Sequence, residues 1–107
     1  MWFEDDFINN AAEMLKVMGH PLRIRIAHYL EPGERNVGDI ALAIGASQST
    51  TSQHLRAMRV LGLLNSRRKA TSVYYSIARP EVYKIIQCIR EGQLEANNQA
   101  SQGRGSA

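Results

Sequence analysis

Apolar side chains recur at helical spacing in the first third of the chain. Ala11, Leu15 and Met18 would share one side of a helix predicted over residues 5–18. Pro21 suits the first position of a second helix, because the N–H that proline lacks would be unpaired there. The apolar stripe of this second helix, which stops before Pro32, consists of Leu22, Ile26, Tyr29 and Leu30.

Two further helical patterns follow, and a tight turn joins them. Asn36 is a suitable N-cap for a short third helix that ends at Ile44. Gly45 then allows a positive φ, and Ser47 is a suitable cap for a fourth helix. The inward positions of the fourth helix are predicted to be Thr51, Leu55, Met58 and Leu61. Two helices joined in this way form a helix-turn-helix.

Two β-compatible runs, 63–68 and 73–77, flank a small polar turn and predict a hairpin. Arg79-Pro80 then begins a last helix, whose apolar positions are Val82, Ile85, Ile86 and Ile89. The pattern as a whole predicts a mainly α protein with a small β-hairpin. About five helices and a two-stranded wing would make a winged helix-turn-helix.

The composition changes from Gly92 onward, where Leu94 is the only large apolar residue. Such a segment cannot offset the entropy lost on ordering, so we expect it to be frayed or disordered. We therefore expect one DNA-binding and dimerisation domain over residues 1–91 and a flexible polar tail over 92–107.

The composition also restricts the class of protein. A chain of 107 residues makes at most one domain, and no apolar run approaches the roughly 18 residues that cross a bilayer. The N-terminus is acidic where a secretion signal would be basic, and a single cysteine cannot form an internal disulfide. These features favour a cytoplasmic protein without a membrane partner.

Positive charge is concentrated between residues 40 and 80. This segment contains six basic residues and no acidic one, whereas the rest of the chain holds seven basic residues against ten acidic ones. A basic surface on a helix-turn-helix and hairpin is typical of a protein that binds duplex DNA.

The predicted outward face of the fourth helix is polar. A helix in the major groove needs such side chains to contact base edges. Gln53 would pair with adenine, and Arg56 would contact either guanine or a phosphate. The residues predicted to face DNA are Gln48, Ser49, Thr50, Ser52, Gln53 and Arg56. The alternative is an ordinary solvated helix face.

The hairpin supplies a second predicted DNA contact. Its strands and turn carry Arg67, Arg68, Lys69 and Thr71, which would grip phosphates or enter the minor groove. The alternative is again a charged surface that is merely solvated.

The segments His20-Pro21-Leu22-Arg23, 44–55 and 73–77 closely resemble the ArsR-type bacterial winged-helix repressors. The resemblance covers roughly residues 8–91. It implies a homodimer built on the first and last helices that binds a palindromic operator near a promoter. It also implies repression relieved by a small inducer. His54 resembles a family position beside the DNA, although packing against the preceding helix is an equal alternative.

The sensor sites of the family do not carry over. The arsenic and cadmium sensors have a Cys-x-Cys where this chain has residues 36–39, and the zinc sensors have Asp-x-His where it has 79–81. The redox sensors have a cysteine where this chain has His28, and Cys88 lies about two turns too early for their second cysteine. We therefore predict no metal site and no cofactor.

Several residues keep more than one interpretation. Cys88 would be an apolar filler beside the isoleucine stripe, a cysteine that faces its symmetry mate, or a ligand of an unfamiliar metal site with His20 or His28. The aromatic residues Trp2, Phe3 and Phe7 would pack in a dimer core or line an apolar inducer pocket.

The sequence predicts a sequence-specific DNA-binding regulator, most simply a homodimeric repressor. One alternative is a winged-helix module that binds an acidic protein, and another is a repressor that senses a metal or oxidant through Cys88, His20 or His28. No paired carboxylates, cysteine–histidine pair or phosphate-binding glycine loop indicates an enzyme.

Overall fold

The computed structural model describes residues 2–105, and the side chains up to residue 101. In chain order the elements are α1 (Asp5–Met18), α2 (Pro21–Tyr29), β1 (Arg35–Asn36), α3 (Val37–Ile44), α4 (Gln48–Val60), β2 (Leu64–Lys69), β3 (Ser72–Ile77) and α5 (Pro80–Gly105). The prediction of five helices and a wing is confirmed.

The sheet contains one strand more than the sequence predicted. Its strands lie in the order β1-β3-β2 and all pair antiparallel. β1 pairs Arg35 with Tyr75 and Asn36 with Tyr74. Two residues are too few to show strand periodicity, so this pairing depends on the position of the wing and not on a local pattern.

Backbone capping fixes the helix-turn-helix. The Asn36 side chain accepts a hydrogen bond from the Asp39 N–H at 2.8 Å, and the Ser47 hydroxyl accepts one from the Thr50 N–H at 3.0 Å. Gly45 between the two helices has φ of +70°. Each cap satisfies an amide at a helix start that has no partner within its helix, so the predicted starts of α3 and α4 are confirmed.

The core lies where α2, α3, α4 and α5 meet the base of the wing. Its largest fully buried apolar side chains include Ile26, Leu30, Ile40, Leu55, Met58, Leu63, Leu64 and Val82. Leu55 and Met58 come from the predicted inward side of α4, as does Thr51, the one buried polar residue among those described. The burial of this side leaves the opposite face of α4 free for a ligand.

The first helix leaves several large apolar side chains exposed. α1 buries Met18 but leaves Phe7 61% and Leu15 57% exposed. Trp2 and Phe3 are also exposed, and the Phe3 and Phe7 rings stack at 5.6 Å. An apolar surface of this kind is unusual on a monomer.

α5 continues without a break through Gly92 to Gly105. The structure is therefore helical where the sequence predicted a frayed or disordered tail. Short-range helix propensity explains the difference, because Gln, Glu and Ala after Gly92 favour a helix even without a core to pack on. The flexibility of these turns, and the domain boundary at residue 91, stay predictions.

No helix within residues 2–105 is long and apolar enough to cross a membrane.

Candidate nucleic-acid interface

The outward face of α4 has the polar character that the sequence predicted. Gln48, Ser49, Gln53 and Arg56 are exposed, while Thr50 and Ser52 are partly covered. Their positions follow from the burial of Thr51, Leu55 and Met58 on the other side of the helix. Contact between these six residues and DNA stays a prediction.

A polar groove of about 390 Å³ separates α4 from the wing. Gln48 and Ser52 line it from the helix, and Thr71 and Ser72 line it from the wing. The fold thus brings together two predicted contact sets that lie about 20 residues apart in the chain. A duplex that lay against α4 and the wing would meet hydrogen-bonding groups from both.

The basic residues of the wing differ in their surroundings. Arg67 makes a bidentate pair with Glu34, with Nε–Oε2 and Nη2–Oε1 distances of 2.7 Å, and its guanidinium lies 5.3 Å from the Tyr74 ring centre. The Arg67 hydrogen bond is the largest influence on the pKa of Glu34 and lowers it below its ordinary value. Arg68 and Lys69 are exposed and make no salt bridge within the described part of the chain.

Carboxylates from outside residues 40–80, the segment without acidic residues, therefore neutralise part of the positive charge of that segment. Arg67 pairs with Glu34, and Arg79 pairs with Glu81 at 2.7 Å. Four of the six basic residues in this segment have no such pair within residues 2–105: Arg56, Arg59, Arg68 and Lys69. Glu34 is a functional neighbour that sequence reasoning missed, since 33 residues separate it from Arg67 and no local pattern joins them.

His54 faces the body of the protein. Its Nδ1 accepts a hydrogen bond from Arg23 Nε at 3.0 Å, and its ring centre lies 4.4 Å from that of His20. Arg23 also donates to the Val17 carbonyl at 3.1 Å. The His54 ring thus packs against the segment that begins α2, and the partly buried Arg23 side chain links His54 to the end of α1. Contact of His54 with DNA stays a prediction.

The two histidines suggested for an unfamiliar metal site have other neighbours within the chain. Among the described residues no three His, Cys, Asp or Glu side chains come together to hold a metal. The His20 ring lies against His54, and His28 Nδ1 lies 2.8 Å from Glu31 Oε1. Cys88 is exposed, so within one chain it does not fill the core as the apolar interpretation required.

Comparison with known proteins agrees with this geometry. Residues 20–66 match the model of the arsR family of bacterial regulatory proteins. The transcriptional activator HlyU of Vibrio cholerae is 34% identical over 87 residues, which are 81% of each chain, and its structure superposes with a TM-score of 0.77 over 82% of this chain and 96% of HlyU.

Two further relatives extend the comparison. The biofilm growth-associated repressor of Agrobacterium fabrum is 32% identical over 78 residues, 73% of this chain and 67% of the repressor. A homodimeric winged helix-turn-helix DNA-binding domain from Mycobacterium bovis is 30% identical, with a TM-score of 0.72 over 89% of this chain and 92% of that domain. The chain therefore belongs to the arsR family and is a transcriptional regulator with a winged helix-turn-helix DNA-binding fold.

Proposed function

We propose that this protein is a homodimeric repressor that binds an inverted-repeat operator in duplex DNA. One observation carries the proposal: Gln48 and Ser52 of the polar α4 face and Thr71 and Ser72 of the wing line the same groove. The basic residues of the wing, Arg68 and Lys69, lie beside this groove in the chain and are exposed. That arrangement suits a helix in the major groove and a hairpin on the neighbouring backbone. Its site of action is the cytoplasm, where bacterial DNA lies.

The two halves of the surface would act differently on DNA. Gln53 and its short neighbours Ser49 and Ser52 would contact base edges, because small side chains let the helix approach the groove floor. Arg68 and Lys69 would hold phosphates, which contributes affinity without sequence preference. Base discrimination would therefore reside in α4 and most of the salt dependence in the wing.

The exposed apolar face of α1 supports a homodimer. Phe7 and Leu15 would be buried against α5 and α1 of a second copy, which removes their apolar surface from water. The mycobacterial relative is described as homodimeric, which agrees with this arrangement. In such a dimer the two α4 helices would lie about 34 Å apart, one turn of B-DNA.

Repression is the proposed outcome because a dimer seated on a promoter excludes RNA polymerase from it. One relative is named an activator and another a repressor. A reporter fused to the protein's own upstream region distinguishes these outcomes: deletion of the regulator should raise expression, and a fall would show activation.

The binding itself is tested by fluorescence anisotropy with the purified protein. The upstream fragment and a shuffled duplex of equal length would be titrated at several salt concentrations. We expect tighter binding to the upstream fragment and a steep fall of log K with log salt on both. A flat salt response would contradict the proposal and favour the alternative, a winged helix that binds an acidic protein.

A further inference from the structure

A second cleft, of about 670 Å³, lies away from the α4 face. It is bounded by α2, the loop after it, β1, α3 and α5. The side chains that determine its chemistry are Arg25, His28, Tyr29, Glu31, Arg35 and Arg90. Three guanidinium groups thus surround it, with a single carboxylate among these six side chains.

The charges in this cleft are unevenly paired. Glu31 accepts a hydrogen bond from Arg90 and pairs with His28. Burial is the largest single influence on the pKa of Glu31 and raises it, but the contacts with His28 and Arg90 together leave the pKa below its ordinary value. Within the described part of the chain neither Arg25 nor Arg35 makes a salt bridge. Nε of Arg35 is buried without a hydrogen-bond partner, while its guanidinium lies 5.1 Å from the Tyr29 ring centre. A buried unpaired N–H is costly, so the Arg35 guanidinium has hydrogen-bonding capacity that the protein does not satisfy.

An apolar groove of about 340 Å³ adjoins the cleft and shares Arg25, His28 and Arg90 with it. Beyond the arginines its walls are formed by Ile24 of α2 and by Ile86, Ile89 and Leu94 of α5. A ligand that occupied both spaces would have an anionic end among the arginines and an apolar end along the isoleucines.

We propose that this double cleft binds a small organic anion, a carboxylate attached to an apolar chain or ring. The carboxylate would accept from Arg25 and Arg35, the two arginines without a salt bridge, and Arg guanidinium groups bind carboxylates well because their geometry matches. The apolar part would lie against Ile24 and Ile89. Burial of that part distinguishes this class from inorganic anions.

The position of Arg35 connects the cleft to the DNA-binding surface. Arg35 pairs with Tyr75 of the wing strand β3, and the next residue, Asn36, caps α3. Arg90, Ile89 and Leu94 belong to α5, one of the two helices proposed to form the dimer. A ligand would therefore contact β1, which pairs with the wing, together with Ala43 of α3 and Arg90 of α5. Its role as an inducer rests on the proposed DNA-binding function.

The binding site is tested by NMR titration of the full-length protein with three probes: octanoate, octanol and inorganic phosphate. We expect octanoate to shift the amide resonances of Arg35, Ala43 and Arg90, and to bind at least about tenfold more tightly than either other probe. Equal affinity for octanoate and octanol would overturn the anionic site. Equal affinity for octanoate and phosphate would overturn the proposal that the apolar groove contributes to binding.

Variants locate the site. Arg25→Gln should lose most of the octanoate preference, and because Arg25 is exposed its folding should be unaffected. Arg35→Gln should lose the octanoate preference as well. Arg35→Lys, which keeps the positive charge, is the conservative variant for comparison. Arg59→Gln removes the same charge from an exposed position outside the cleft and should bind octanoate like the parent. Unchanged octanoate binding in Arg25→Gln would overturn the assignment.

A separate measurement decides the regulatory role. Octanoate should weaken operator binding by the parent protein about fivefold or more, and should have little effect on Arg25→Gln. If octanoate occupies the cleft without changing DNA affinity, the inducer role is wrong. If the ligand-free protein does not bind operator DNA, the proposed function fails, while the NMR titration still decides the binding site.

Discussion

Adjacent arginines in the wing show how far residue type alone determines a role. Both are exposed, but Arg67 pairs with Glu34 and lies over Tyr74, whereas Arg68 on the other face of the strand makes no salt bridge among the described residues. The sequence shows both as members of one basic run. Only the position of Glu34, 33 residues away, separates the two.

Arg68→Ala should weaken binding to every duplex and reduce the slope of log K against log salt by about one, because one phosphate contact is lost. The salt titration by anisotropy measures this. Lys84→Ala removes the same charge from exposed α5 and serves as the control. Loss of affinity for the operator alone would show instead that Arg68 contacts bases.

Gln53→Ala should reduce discrimination between operator and shuffled DNA by about 1–3 kcal/mol, the range for one bidentate base contact. The exposed side chain of Gln53 contributes little to packing, so folding should be unchanged. Parallel titrations of both duplexes provide the measurement, and Gln99→Ala in the last turns of α5 is the matched control. An equal loss on both duplexes would contradict base recognition by Gln53.

His54 should make stability depend on pH in a defined window. Burial first, and then His20 and Arg23, lower the pKa of His54 below its ordinary 6.5. The unfolded chain therefore binds the proton more readily, so the contribution of neutral His54 is complete above about pH 6.5 and is lost as pH falls through the folded value.

Urea unfolding at pH 7.5 and 5.5 measures this contribution, and His54→Gln should reduce the difference between the two conditions. Glu31 and Glu34 do not interfere, since their pKa values are lowered from 4.5 and their stabilisation is lost only below that pH. The same pH difference in His54→Gln would assign the effect to another group.

Most elements could be predicted from local patterns, and the exceptions have physical reasons. The α3 and α4 boundaries agree with prediction because Asn36, Gly45 and Ser47 are strong local signals. β1 was missed because its two residues are extended only through pairing with β3. The continuation of α5 was missed because the prediction relied on apolar periodicity, and this segment has none.

Two glycines in different elements should respond oppositely to alanine. Gly45 has φ of +70°, so Gly45→Ala should destabilise the protein by about 1–2 kcal/mol although nothing lies within 4 Å of the added Cβ. Gly92 lies within α5 with open space around it, so Gly92→Ala should stabilise by up to about 1 kcal/mol.

Denaturant unfolding of both variants provides the test. If Gly45→Ala leaves stability unchanged, the turn is not constrained as described. If Gly92→Ala has no effect, the last turns of α5 do not contribute to the folded state, which would favour the flexible tail predicted from the sequence.

The whole molecule is elongated, with extents of 57 × 41 × 21 Å and a radius of gyration of 16.6 Å. A compact chain of this length would have a radius of gyration of about 13 Å. The larger radius of gyration and the exposed apolar face of α1 both agree with a chain that completes its core with a second copy. The sequence implied a dimer through the family resemblance and left Phe7 with two interpretations, since periodicity alone cannot show that Phe7 lies outside the protomer core.

Phe7→Glu should shift the protein from dimer to monomer and weaken operator binding at least about tenfold, because each half of the palindrome would be bound separately. Sedimentation velocity and anisotropy measure the two effects. Asn9→Glu adds the same charge on the opposite side of α1 and is the control. A dimeric Phe7→Glu would place the interface elsewhere.

The short connections around the small sheet restrict how this molecule can change shape. From Arg35 to Ile77 no gap between elements exceeds three residues, and β1 joins the start of this stretch to its last strand. Two segments connect this stretch to the flanking helices. Residues 30–34 lead from α2 and include Gly33 with φ of +152°, and residues 78–79 lead to α5. A rotation of this stretch relative to α2 and α5 would bend these two segments. It would also separate Ile26, Leu30 and Val82 from the core that they share with α3 and α4, so close packing resists it.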